Sequence, residues 1–464
     1  MLHNITHKNL SNFSHKFNNK RTNKVLKNVN TKSDFKKLIL KSDYIQNNKQ
    51  VFNNVIHVNA NITNQKNSGR CWLFAFLNII RFKMIKKYKL QPDFELSQNF
   101  LFFYDKLEKA NYYLNYILET YKINLETLQS ETELLKLVHM LERVTDDGGQ
   151  WNVFVNLIEK YGIIPKTNMD DHFHSTNSKE LEQFYDDFLR KCGHKIRSMS
   201  KNDITKNKEK ILEEMLFDCY KILVLFLGEP PSKITWEYYE LAGADKSLKA
   251  KKIADVTPVD FYRKYVPYKA RDKICLINYP CKYTPFYKLY NVEMTFNILG
   301  ASQQNFINVP SNNMIDAVKK SIDNQEAVWV GVDFSKYSSN ESGFLDKEGF
   351  DYEDVFGFDT YMEKCNAINY RQSGPNHAVV IKGYNFDHSK TNGFLVENSW
   401  GDQKGFKGNY YMSKNWFEDY TYQVVVDKKC VSEKILSVLK HKPITLPYWS
   451  VFGALLKGVT KSTL

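Results

Sequence analysis

Proline and glycine are scarce in this chain, 12 and 20 of 464 residues, which excludes collagen-like and Pro/Gly-rich disordered architectures. Cysteines number seven, at 71, 192, 219, 275, 281, 365 and 430. The count is odd and no C-x-x-C pair occurs, so neither a disulfide framework nor a zinc cluster is expected. No metal or cofactor is implied. No apolar run reaches the roughly 18–20 residues that cross a bilayer. Met1-Leu2-His3-Asn4 lacks the apolar stretch of a secretory leader. A reducing, cytoplasmic setting without membrane contact is therefore expected. Residues 1–32 contain no Asp or Glu and are rich in Asn, Ser, Thr and Lys. They are expected to be a disordered basic arm without apolar spacing for docking.

Apolar side chains make up 42% of the chain and aromatic ones 14%, enough to bury a large core. The length allows two to four domains or one elaborated one. The net charge of +13 sits at the ends: eleven Lys/Arg against two acids in 1–50, and seven against one in 428–464, which leaves residues 51–427 at −2. A uniformly basic nucleic-acid-binding domain is disfavoured, while basic ends that touch an anionic partner remain open.

Helical periodicity dominates the first part. Cys71 to Tyr88, Leu96 to Leu118, Leu125 to Leu141 and Trp151 to Tyr161 carry apolar residues at helical spacing, and 178–228 is mostly helical. After about residue 325 the pattern turns to short β-rich runs: Ala327–Val332, Ala378–Gly383, Gly393–Glu397, Gly408–Met412 and Tyr422–Val426. Helices first and strands later predict an α+β fold with a site at the junction. The expected organisation is a helical half over 33–200, an inserted mainly helical region over 201–300, a β-rich half over 301–428, and a last helix with an extended arm over 429–464.

Three windows carry chemistry. Asn64-Gln65-Lys66-Asn67-Ser68-Gly69-Arg70-Cys71-Trp72 places a cysteine at a helix start, where free backbone N–H groups and the helix dipole favour a thiolate. A free cysteine is also commonly a small buried apolar residue. Gly374-Pro375-Asn376-His377-Ala378 places a histidine at the start of a strand. Val396-Glu397-Asn398-Ser399-Trp400-Gly401 ends a strand on an amide that can hold an imidazole, beside a tryptophan that can shield the bond.

Together the windows resemble the papain-like cysteine proteases. Gln precedes Cys by six residues, Trp follows Cys, Ala follows His, and Asn-Ser-Trp-Gly lies 21 residues beyond the His. The stretch before Cys71, together with Leu96-Ser97-Gln98-Asn99-Phe100, Asp147-Gly148-Gly149-Gln150-Trp151 and Gly453-Ala454-Leu455, is similar to the bleomycin hydrolase and aminopeptidase C branch over about residues 50–455. Residues 1–30 are expected to precede the match. The resemblance implies a papain-like fold with a helical half and a β-barrel half. It also implies a cysteine aminopeptidase acting on peptides, assembled as a homohexamer. Cys71 is then the nucleophile, His377 the acid–base, Asn398 its orienter, and Gln65 with the Cys71 N–H the oxyanion donors. Gly148 and Gly149 line the substrate groove, and Leu455 ends an arm that lies in the cleft.

Two departures stand out. Pro375-Asn376-His377-Ala378 replaces the branch's usual Met-Thr-His-Ala, and Leu456–Leu464 continue past Gly-Ala-Leu. The extra residues are expected to be trimmed near Leu455. A rival reading is a nucleic-acid-binding or scaffolding protein on a protease fold, supported by the basic ends.

Overall fold

A computed structural model describes residues 4–47, 51–123, 131–242, 247–295, 297–387, 390–450 and 453. The chain divides into two compact units, 1–49 with 346–362, and 50–345 with 363–464.

The smaller unit corrects the expected disordered arm. Helices His7–Asn18 and Arg21–Asn30 form there, the first opened by a Thr6/Asn9 capping box. Leu10, Phe13 and Phe17 share one face at helical spacing and stay exposed. In the same unit Leu40 bridges Phe350, and the Asp351 N–H donates to the Ile39 carbonyl at 2.7 Å. The ring of Phe35 packs on Tyr352 and Phe356.

The larger unit holds a mixed sheet of twelve strands among the described residues. Its centre is Val328–Val332, which pairs antiparallel with Thr421–Asp427 on one side and His377–Asp387 on the other. Lys390–Glu397 and Asn409–Ser413 continue the sheet beyond His377–Asp387. Lys273–Ile277 continues it beyond Thr421–Asp427. These runs are rich in Val, Ile and Tyr, and the central strand is buried along its whole length, as its unbroken apolar sequence requires.

The helix Cys71–Tyr88 runs where the sequence predicts it, yet it is buried all round except at Lys83 and its last turn, where Lys86 and Lys87 stay exposed. Phe76 shows why. Its ring stacks on Trp329 of the central strand at 4.9 Å and on Phe154 of the helix Trp151–Tyr161 at 4.5 Å. The helix is sandwiched between the sheet and a second helix layer. Arg81 survives inside by giving its guanidinium to three backbone carbonyls, those of Phe94, Asn61 and Pro92.

Two expectations fail here. The stretch 201–300 is not mainly helical. The helix Lys201–Leu227 is followed by a hairpin of Ile234–Ala242 and Ser247–Val256, the short helix Pro258–Tyr265, and the strands Lys273–Ile277 and Lys288–Val292. Alternating Ile234, Trp236 and Tyr238 carry the strand period, and the hairpin packs Trp236 against Phe94 and Phe261. Cys281 and Cys365, for which no disulfide was expected, are joined in one across 84 residues of sequence. Sequence spacing could not pair them, because the fold brings a loop after the strand Lys273–Ile277 against the helix Lys364–Asn369.

Candidate active site

Cys71 opens its helix after Arg70, which makes no side-chain cap, so the first-turn N–H groups face the thiol. The Ala378 N–H, next to His377, also reaches the Cys71 thiol. The helical and β-rich parts thus meet at these residues. Cys71 and His377 are both buried. Burial pushes the Cys71 thiol up to about 12, against the pull of the Ala378 N–H. Burial likewise brings the His377 imidazole down to about 4, against the Asn398 bond. A lone thiolate or a lone imidazolium is therefore disfavoured.

Hydrogen bonds fix the imidazole's tautomer. Asn398 Oδ1 lies 2.8 Å from His377 Nε2 and 2.8 Å from the Ser399 N–H. A backbone N–H can only donate, so the shared atom is the amide oxygen and His377 Nε2 carries a proton. Nδ1 is left as the nitrogen for chemistry. Trp400 stacks on the imidazole at 4.7 Å, and Phe334 meets it edge-on at 5.3 Å.

The loop before Cys71 is fastened to the segment after Asn398. The Gln65 N–H donates to the Ser399 carbonyl, and the Gly401 N–H to the Thr63 carbonyl. Ser399 Oγ donates to Gln65 Oε1 at 2.7 Å, and Gln65 Nε2 donates to the Ser68 carbonyl at 2.7 Å. That leaves one amide proton of Gln65 uncommitted. The sequence reading named Gln65 but missed Ser399, whose hydroxyl sets the amide's direction.

A second tether runs through Asp147. Its carboxylate pairs with the buried Lys106 at 2.7 Å and accepts from Ser178 Oγ and the Gly69 N–H. Burial alone would raise this carboxyl; Lys106 and the hydrogen bonds hold it below its ordinary value. The Trp72 indole N–H donates to the Asp147 carbonyl at 2.7 Å. Gly149 lies so close to Trp72 that a Cβ there would sit 2.5 Å from the indole ring. Gly149→Ala should therefore cost about 1–3 kcal/mol of stability and lower activity, because Trp72 is fully buried and cannot yield. Chemical denaturation and turnover of this variant, measured side by side, check it.

Gly148 and Gly149 border a cavity of about 110 Å³ lined also by Met140, Val144 and Arg143. Tyr448 and Gly453 of the C-terminal arm line the same cavity, with Tyr448 stacked on His139 at 3.8 Å. Leu455 and the expected trimming position lie outside the described residues. Among the described residues no helix is long and apolar enough to cross a membrane.

The model of the Peptidase C1-like family matches residues 4–453, so the match begins within the N-terminal segment and not after it. Aminopeptidase C of Listeria innocua is 37% identical over 87% of this chain and 88% of its own. Bleomycin hydrolase of Homo sapiens is 34% identical over 92% and 93%. The crystal structure of PepW from Lactobacillus rhamnosis superposes with a TM-score of 0.88 at 33% identity, covering 96% of this chain and 98% of that one. The α+β architecture expected from the sequence is thus papain-like.

Proposed function

This chain belongs to the Peptidase C1-like family and is a cysteine peptidase, and from that premise we propose that it is an aminopeptidase working through Cys71, His377 and Asn398. The observation that carries the reading is the His377–Asn398 bond with its proton on Nε2, beside a cysteine at a helix start.

Cys71 Sγ attacks the scissile carbonyl carbon, and its proton passes to His377 Nδ1. The carbonyl oxygen becomes an oxyanion, met by the uncommitted Gln65 Nε2 proton and the Cys71 N–H. His377 then gives its proton to the leaving amine, and a thioester remains. Water, deprotonated by His377, attacks the thioester and frees the acid and the thiol. Gly148 and Gly149 present bare backbone to the peptide, and the adjoining cavity takes a substrate side chain. The relatives' printed names support restriction to the amino end, and Tyr448 and Gly453 in that cavity support an arm that blocks longer binding modes. The same reading extends to a cytosolic homo-oligomer, which light scattering at assay concentration tests.

The deciding experiment compares an aminoacyl amide bearing a free amino group with its N-acetylated form. The free form should be hydrolysed and the acetylated one spared; equal cleavage of both would make the chain an endopeptidase.

Gln65→Ala should lower kcat by roughly 10²–10³, the size of one oxyanion donor. Ser399→Ala should cost less, about tenfold, since it frees the amide's direction without removing the donor. An unchanged kcat in Gln65→Ala would remove it from the mechanism.

A further inference from the structure

We propose that Asp333 is a positioning residue for His377, a buried carboxylate that clasps the segment leading into the imidazole. This rests on His377 being the acid–base.

Val332 is the cross-strand partner of His377, and Asp333 follows it directly, 2% exposed. Four donors address its two carboxylate oxygens. Oδ1 accepts from the Ser335 N–H at 3.2 Å, Ser335 Oγ at 2.5 Å and Asn376 Nδ2 at 2.5 Å. Oδ2 accepts from Ser373 Oγ at 2.7 Å. Receiving only donors is the pattern of a carboxylate. Among the described residues no Lys, Arg or His pairs with it, so hydrogen bonds alone offset its desolvation.

The carboxylate holds the 373–376 segment against the end of the central strand. Asn376 completes the clasp. Its N–H donates to the Val332 carbonyl at 2.9 Å, and its Oδ1 accepts from the Phe334 N–H at 2.9 Å. Phe334 is thereby fixed with its ring edge-on to both His377 and Trp400, at 5.3 and 5.0 Å. Asn376 is one of the two residues, with Pro375, at which this sequence departs from the resembled motif, and here it spans Asp333 and Phe334.

The test measures kcat and KM separately on a fluorogenic aminoacyl amide. Asp333→Asn should lower kcat by about 10- to 100-fold with KM nearly unchanged, the cost of a misplaced base. The exchange Asp333→Asn with Asn376→Asp restores the bond, and should recover most of kcat. Ser373→Ala removes one donor. It should lower kcat severalfold with KM unchanged, and it serves if Asp333→Asn does not fold. Wild-type kcat in Ser373→Ala, or in a folded Asp333→Asn, overturns the proposal. So does an exchange variant no better than the single one. Inactive His377→Ala beside an unaffected Asp333→Asn defeats only the clasp; active His377→Ala defeats the reading beneath it.

Discussion

Replacing Cys71 by alanine should abolish amide hydrolysis, with a loss on the order of 10⁵-fold or more, by comparison with removal of the nucleophile in a serine protease. No other thiol can substitute. Cys192, Cys219, Cys275 and Cys430 are free but buried, and burial raises each of them. None has an imidazole beside it, whereas Cys71 has the first-turn N–H groups and the Ala378 N–H to support a thiolate when His377 becomes cationic. The fold should persist, because losing one sulfur from a buried site costs about 1 kcal/mol. Activity toward an aminoacyl amide, read together with the thermal unfolding midpoint, checks this. A folded Cys71→Ala protein that still turns over substrate would show that the chemistry lies elsewhere.

His377→Ala and Asn398→Ala should differ by about two orders of magnitude in kcat, with the histidine change the worse. In the proposed mechanism His377 moves the protons, so nothing replaces it. Asn398 only holds Nε2–H, and the Trp400 stack and the Phe334 edge still confine the ring after the amide is gone. The residual activity of Asn398→Ala then reports how much of the orientation is carried by packing. Equal losses would mean that Asn398 does more than orient. A double-mutant cycle with Trp400→Phe should be non-additive, since both residues act on one ring.

Periodicity and spacing made the central machinery legible. The helix Cys71–Tyr88 announces itself by apolar residues at helical spacing, and the helix Trp151–Tyr161 is closed by Gly162, which takes a positive φ of 77°. His377 and Asn398 stand at strand ends where β-rich runs begin and stop. What escaped notice depends on neighbours that only the fold supplies. Asp333 reads as an ordinary acid after an apolar strand until Ser373 and Asn376 arrive from some forty residues downstream. Ser399 reads as filler between Asn398 and Trp400 until Gln65 lies beside it. Cys281 and Cys365 carry no mutual signal. In the hairpin Ile234–Ala242 and Ser247–Val256, exposed Lys-rich positions masked the strand period on the second strand. The N-terminal helices were hidden by composition, because Asn and Lys outnumber the spaced Leu10, Phe13 and Phe17.

The division of the site between a helix start and a distant strand also has a consequence in time. Cys71 and His377 are 306 residues apart. At a synthesis rate of about 5–20 residues per second, roughly 15–60 seconds separate their emergence from the ribosome. Throughout that interval, on the proposed mechanism, the thiol lacks His377 and Gln65 has no Ser399 to aim it. A nascent chain would then be unable to cut its neighbours or itself. Peptidase capability arrives as one late event, when the last strands close on the helix.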